Sequence, residues 1–480
     1  MCLKLPKPSS FLTTFQGSLF RTQWFFKARG VSKLSLNLFG TITLVVSLLS
    51  FNVFSSPPIS AINGVNSIQE LKNSPVDTLV LSIPSAEQAF TKRNLSLKIA
   101  KYNVNIATDN VNNARLWYNP NLYYQTTLYN QESHRFFSDY YPTSNYSDET
   151  IQIQELITLA GRHSATWQLA EVGIHQAQFQ YDDLLRNLQY AFYSTISSIY
   201  YNQKMIAVYQ YEIVHLNHLI AITKTLVEKG NASALAVIQL QAQLQDIITQ
   251  ELNCQNALLG NQQDFNVLLG NQQPLFYRVD SLPNFSHLLP SFQAVLDSAE
   301  RQRPDLKLAI AGIDYANKNL KLQKATALPD MTVGTTVVGT NSSGAVGYTG
   351  LFASMDLPVF NRNQYNILAA KDGFKQAVVN DSLMLATVRQ QATGAYLTLL
   401  EVDKQWQKLQ MRYGPNYSND IEELIKNAFL NYENRRIDLL TLISYLGTYT
   451  DAKTNLLNLQ VQYYNAAKNL NLNCASEMMK

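Results

Sequence analysis

The chain has 480 residues, of which 15% are charged and 11% aromatic, with a formal net charge of +3. A soluble domain carries ~25% charged residues, and mean hydropathy here is −0.14. The chain is therefore charge-poor without being apolar enough for a polytopic helical membrane protein. An apolar fraction of 46% excludes disorder, and so small a net charge gives no footing for nucleic-acid binding. Length alone suggests two or three ordinary domains.

Residues 1–33 hold Lys4, Lys7, Arg21, Lys27, Arg29 and Lys33 and no acid. An uncharged run around Leu38–Leu49 follows and continues to Phe54, before Pro57-Pro58-Ile59-Ser60-Ala61. A basic region, an apolar region and a small-residue exit describe a secretory signal cleaved near Ala61. An uncleaved membrane anchor is the other reading. No Cys stands directly after the apolar run, so a lipoprotein signal is not expected. Cys2 lies in this leader, and Cys254 and Cys474 stand far apart without CxxC spacing. That argues against a disulfide framework or a zinc site.

Residues 97–120 and 306–329 align without a gap at an offset of 209. Leu97-Lys98-Ile99-Ala100 matches Leu306-Lys307-Leu308-Ala309, and Pro120 matches Pro329. In each half a helical stretch ends at a Pro, two β-like segments follow, and two long helical stretches come next. A repeat near 200 residues is too long for a solenoid unit and suggests two copies of one module. In the first half the strands are expected at Asn121–Tyr129 and Thr150–Gln154, separated by an aromatic loop from His134 to Tyr146. The tyrosines at 123, 124, 129, 140, 141 and 146 fit either an aromatic membrane girdle or ordinary strand packing. From Gly161 to Lys229 there is no Pro, and Leu185, Phe192, Ile199, Ile206, Ile213, Ile220 and Val227 recur every seventh residue. Tyr181, Leu188, Tyr209 and Leu216 form a companion seam, which is coiled-coil periodicity. At 1.5 Å per residue such a helix is roughly 100 Å long. Gly230 supplies a left-handed turn after it, and Ser233 can cap the return helix.

The second half has strands expected at Met331–Val338 and Val346–Leu357, around Asn341–Ala345. The expected strands run from 5 to 12 residues, and the longer two, at 9 and 12, suit a tilted membrane span. Val378, Leu385, Ala392, Leu399, Trp406 and Tyr413 share a heptad register until Gly414-Pro415 interrupts it. Asn416 or Ser418 can cap a restart at Ile421, and Asn434 is expected to take the left-handed position of the second turn. Four strands cannot close a barrel, and open edges in lipid leave unpaired backbone groups. If these strands enter a membrane, several chains share one barrel, and three chains give about twelve strands with room for a lumen.

The motifs resemble those of the TolC-type outer-membrane efflux proteins. Arg303-Pro304-Asp305-Leu306 is similar to the start of that family's second-repeat helix. Leu357-Pro358-Val359-Phe360-Asn361-Arg362-Asn363-Gln364 is similar to the strand-to-helix junction of the heavy-metal-efflux (CzcC/CusC-like) branch, and Gln154-Glu155-Leu156 with Gly161-Arg162 resembles its first-repeat version. Lys229-Gly230-Asn231 resembles the family's tip turn. The resemblance implies a mainly α fold with a small β part: long antiparallel coiled-coil helices forming a periplasmic tunnel, and four strands per chain in a shared trimeric 12-stranded outer-membrane barrel. It implies residues 1–61 as signal peptide and N-terminal extension, 62–84 as linker, 85–290 and 291–470 as two repeats, and 471–480 as a tail. It implies a homotrimer in outer-membrane lipid, a periplasmic adaptor protein and an inner-membrane RND-type pump as partners, and no enzyme activity or cofactor. Cargo would be solutes, with metal cations and drugs both open.

By the same resemblance, Lys229, Gly230, Asn231, Ser233, Asn434, Arg435 and Arg436 are adaptor-docking residues at the tips, Asp438 an entrance gate, and Pro120, Gly161, Pro329 and Pro358 the barrel–tunnel junction. The chain departs from the family at the entrance. Positions that carry carboxylates in relatives are Ala236, Gln239, Thr441 and Ser444, which leaves Asp438 as the nearest acid. Asp438 is equally readable as a charge favoured by a helix N-terminus. His215-x-x-His218 has metal-ligand spacing, but without a third ligand nearby in sequence it reads as a solvated or seam pair. His163, beside Arg162, falls near the junction. An N-terminally anchored periplasmic coiled-coil protein without a barrel is the rival reading, and it leaves the paired β segments unexplained.

Overall fold

A computed structural model describes residues 78–126, 129–130, 135–136, 150–283, 289–339, 347–414 and 416–479. The expected leader at 1–61, most of the linker, the aromatic loop His134–Tyr146 apart from Arg135 and Phe136, Asn341–Ala345 and Pro415 lie outside the described residues.

The chain opens with β1 (Thr78–Val80), α1 (Ile83–Arg93) and α2 (Leu95–Arg115). β2 (Asn121–Gln125), the two-residue strands β3 (Tyr129–Asn130) and β4 (Arg135–Phe136), and β5 (Thr150–Ile157) follow. Then come α3 (Arg162–Glu228), α4 (Ala234–Leu269) and β6 (Phe276–Arg278). The second half runs α5 (Phe292–Gln302), α6 (Pro304–Ala325), β7 (Met331–Val338), β8 (Tyr348–Met355), α7 (Gln364–Tyr413), α8 (Tyr417–Glu433) and α9 (Leu439–Cys474). The long helices and the four strands fall where the sequence pattern predicts them, and α1, α5 and the short parallel pair β1–β6 are additional to it.

β2, β5, β7 and β8 form one antiparallel sheet in that order. The two halves meet at the β5–β7 ladder, where Thr150 faces Val338 and Ile157 faces Met331. The strands are 5 to 8 residues long: β7 has the expected bounds, while β2 and β8 are shorter than the expected Asn121–Tyr129 and Val346–Leu357. β8 stops at Met355 because Pro358 has no N–H for a ladder, and the backbone folds into a Val359 N to Leu357 O bond (2.8 Å) instead. β5 gains three residues beyond Gln154 because β7 is long enough to pair with them.

α3 spans 67 residues without a break, about 100 Å. Its seam runs through two separate cores. Phe192, Ile196 and Ile199 pack with Phe90, Phe265, Val388, Leu399 and Tyr464 in the first. Met205, Leu216 and Leu219 pack with Leu240, Ile425, Phe429, Leu442 and Leu446 in the second, nearer the end of the helix. On α7 Val388, Ala392, Ala395, Leu399 and Val402 are buried, alternating by four and three as a coiled-coil seam requires. Val378 and Tyr413, on the expected register, are exposed at the two ends of that seam.

The pair β1–β6 closes the first core from the side. The far edge of β6 has no strand partner, and two glutamines replace one. Gln203 and Gln262 each donate to Tyr277 O (2.8 and 2.6 Å). Their side-chain carbonyls accept from Val279 N and Tyr277 N, both at 3.0 Å. An edge strand in a core must have its backbone groups met, and these amides meet them.

α8 restarts at Tyr417, four residues before the expected Ile421. Asn416 holds the N-cap position without a side-chain bond. Its carbonyl takes the Asn419 and Asp420 amides (2.8 and 3.0 Å). Ser418 is not the cap: its hydroxyl accepts from Lys453 Nζ at 3.0 Å.

Candidate functional site

Two places collect the residues singled out in the sequence: the turns where α3 meets α4 and α8 meets α9, and the strand–helix junction at the opposite end of α3.

The first turn is a Schellman closure. Gly230, at φ +73°, sends its N–H to Val227 O (2.9 Å), and Asn231 sends its own to Leu226 O (2.8 Å). Ser233 then caps α4 by accepting from Leu235 N at 3.1 Å. The second turn is built on the same plan. Arg435 N donates to Tyr432 O (2.9 Å) and Arg436 N to Asn431 O (2.8 Å). The left-handed residue is Arg435, at φ +59°, and not Asn434, which sits at φ −80° as the last helical cap. The Schellman geometry decides this: the residue two places after the last helical one must reverse, whatever its side chain. Asp438 falls where Ser233 falls, and its carboxylate accepts from Thr441 N at 2.8 Å. The hydroxyl and the backbone N–H of Thr441 hold the Asp438 carboxyl below the usual carboxylate range.

Lys229, Gly230, Asn231, Ser233, Asn434, Arg435, Arg436 and Asp438 are all exposed. His218 Nε2 lies 3.3 Å from Glu433, which sets the second turn beside the last turns of α3. His215 does not join it in a metal site. His215 Nδ1 is 2.8 Å from Tyr211 O, and the ring stacks on Phe429 at 4.5 Å. Among the described residues no cluster of three or more His, Cys, Asp or Glu side chains could hold a metal.

At the other end, α2 stops at Arg115 and α6 at Ala325, and Pro120 and Pro329 precede the strands that follow. Gly161, at φ +70°, starts α3 from β5, and Asn363, at φ +58°, starts α7 from β8. Two side-chain links lock this corner. Arg162 forms an ion pair with Asp330, joining the start of α3 to the start of β7. Asn363 Nδ2 donates to Gln323 O at 2.7 Å, joining α7 to α6. Pro358 lies in the connection, its carbonyl taking Arg362 Nε at 3.2 Å. His163 stacks on Trp117 at 4.8 Å, sealing α2 against α3 just below.

Sequence reasoning missed what Arg303-Pro304-Asp305 does physically. Pro304 is the first residue of α6, and Arg303 is 2% exposed. Arg303 grips Asp305 with both arms (3.0 and 2.5 Å) and also reaches Gln391 (2.7 Å) and Asn473 (3.2 Å). Arg186 stands 3.6 Å from Asp305 and donates to Leu472 O at 2.9 Å. One buried arginine thus ties α6, α7 and α9 together. The only signal in the sequence was a charged pair flanking a proline.

No protein-family model and no curated protein matches the sequence. In shape the chain does have solved counterparts. It superposes on the outer-membrane channel OprN with a TM-score of 0.66 at 14% identity, over 82% of this chain and 91% of that one. That is the fold of an outer-membrane channel. The Campylobacter jejuni CmeC outer membrane channel gives 0.66 at 14% identity, over 82% and 85%. CusC, solved in work on folding and transmembrane channel formation, gives 0.62 at 16% identity, over 81% and 91%. Likeness to CusC is no greater than to OprN or CmeC, so the fold singles out no branch. Among the described residues no helix is long and apolar enough to cross a membrane.

Proposed function

We propose that this protein is a passive export duct in the outer membrane. Three copies close a barrel, their helices form a periplasmic tunnel, and the tip turns dock an adaptor that joins the duct to an inner-membrane pump. One observation carries this reading. A helix about 100 Å long starts from an antiparallel four-stranded sheet whose two outer edges are unpaired among the described residues. A lone globular protein has no use for either feature. The match to channel structures along more than four-fifths of this chain supports it.

On this reading the strands span the lipid and the junction of Pro120, Gly161, Pro329 and Pro358 marks where barrel becomes tunnel. Transport needs no catalytic group, only a wall that does not hold the cargo, and a neutral polar surface serves that. Lys229, Gly230, Asn231, Ser233, Asn434, Arg435 and Arg436 form the docking edge. Three copies of Asp438 place a ring of carboxylates at the entrance. That ring favours cations, which agrees with the heavy-metal resemblance of the Leu357–Gln364 segment.

Membrane fractionation is expected to place the protein in the outer membrane, with a trimer preserved in mild detergent and a conductance in planar bilayers. Recovery as an inner-membrane monomer sinks the duct and favours an anchored coiled coil. For the ring, Asp438→Asn is expected to lower the cation preference of that conductance. An unchanged preference dismisses it.

A further inference from the structure

Glu212 belongs to neither of the sites above. It lies on α3, about four turns before the tip, and has no solvent exposure. Val208 and Tyr209 on one side and Leu216 on the other are buried with it, and Leu446 and Tyr449 of α9 close the same core. One carboxyl oxygen, Oε2, has no hydrogen-bond partner among the described residues. The other, Oε1, is 2.6 Å from Thr450 Oγ1 on α9, and that hydroxyl is also 3.1 Å from Leu446 O. One hydroxyl carries one proton. Both contacts are filled at once only when the carboxyl supplies the second.

The charged and titratable groups around it offer no compensation. On α9, Lys453 is committed to Glu422 of α8 (2.6 Å) and to the Ser418 carbonyl and hydroxyl (3.3 and 3.0 Å). Tyr449 is held neutral by burial first and then by the charges of Glu212 and Glu422. Tyr209, pushed up to about 12, is shifted by burial and then by Cys254, Tyr201, Glu212 and Asp246, the cysteine and the aspartate both on α4. His215 is turned to Tyr211 O. An ionised carboxylate here has no cation and one free oxygen in an apolar core, which is costly.

We propose that Glu212 is a proton-binding site: the protonated carboxyl seats α9 on α3, and its ionisation releases the tip end of that helix pair. Burial pushes this carboxyl from 4.5 up to about 7, against the pull of the Thr450 hydroxyl. The sign follows from linkage. Packing is tightest below the ordinary carboxylate pKa, weakens as pH rises, and reaches its loosest level above the raised value. Near-neutral surroundings thus leave the tip helices poised between the two states.

Hydrogen exchange on the full chain in detergent, between pH 5 and pH 8 and corrected for intrinsic rates, tests this without reference to transport. Protection of the Leu442–Tyr449 amides is expected to fall up to ~100-fold across that range. In Glu212→Gln it is expected to be high and level. Thr450→Val removes the hydroxyl that can turn to an ionised carboxylate, and is expected to move the wild-type midpoint to higher pH. Equal slopes in wild type and Glu212→Gln assign the effect to His215 or another group and overturn the proposal. If Glu212→Gln does not fold, a midpoint that Thr450→Val leaves unmoved overturns it equally.

Discussion

Arg303 shows how much one side chain can hold. Burial pushes the Asp305 carboxyl up, but the hydrogen bonds and charge of Arg303, joined by the charge of Arg186, bring it below the usual carboxylate range. Breaking a buried pair leaves the other charge stranded and costs about 3–5 kcal/mol. Arg303→Met is therefore expected to destabilise the fold by that amount in denaturant titration. The pH dependence follows from the lowered carboxyl: its stabilisation is complete above the unfolded carboxylate pKa and is lost as pH falls through the folded one. In Arg303→Met only the Arg186 charge and the Leu306 N–H remain to oppose burial, so the acid limb of the stability curve is expected to move to higher pH. Arg435 is the opposite case, a side chain that the backbone tolerates at a cost. A non-glycine residue in the left-handed region loses about 1–2 kcal/mol, and Gly230 holds the matching place in the first turn. Arg435→Gly is expected to strengthen the second turn by about 1 kcal/mol, read as slower exchange of the Arg435 and Arg436 amides. If adaptor binding falls in the same variant, the charge of Arg435 serves docking rather than folding.

At the scale of elements, legibility in the sequence tracked periodicity. α3 was readable almost to the residue because its seam repeats every seventh position and no Pro interrupts it before Gly230. β7 was readable because six of its eight residues are β-branched. α1, α5 and the pair β1–β6 were not, because elements of 3 to 11 residues carry too few turns for a pattern. Their partners are far away: Phe90 packs on Phe192 at 5.2 Å, and Gln203 reaches β6 across the core. The tips were readable as turns from Gly230 and Asn434. Which residue reversed in the second turn was not, since that depends on where α8 ends. The burial of Glu212 carried no signal, because a glutamate in a heptad normally faces water. The sheet hides one more requirement. A Cβ on Gly334 would lie 2.5 Å from Ile153 O and 2.8 Å from the Phe352 ring, on the ladder that joins the two halves. Backbone cannot yield there without opening β5 from β7. Gly334→Val is expected to abolish recovery of folded protein from membranes. The nearby Gly350→Ala, whose added carbon meets only ordinary contacts at 3.5 Å or more, is expected to leave it unchanged.

At the scale of the whole molecule, the sheet poses a problem that one chain cannot solve. β8 presents eight residues on its outer edge and β2 five, and only one side of each is paired. In water such edges invite aggregation. In lipid each unmet backbone group costs several kcal/mol. The neighbouring faces add to the demand, with Leu122, Leu351, Leu357 and Phe360 exposed, the last at 93%. The two edges differ in sequence and sit on opposite sides of the sheet, so the contact that satisfies both runs from β8 of one copy to β2 of the next. Such a head-to-tail contact makes a ring if the rotation closes and a fibre if it does not. Strand count then selects the ring: two copies give a barrel of about eight strands filled by side chains, and three give about twelve with an open lumen. We propose three. Amine cross-linking of the detergent-extracted protein is expected to give a ladder of one, two and three chains and nothing above. A ladder that stops at two leaves a barrel filled by side chains, and one that runs on without limit leaves no closed barrel; either removes the duct.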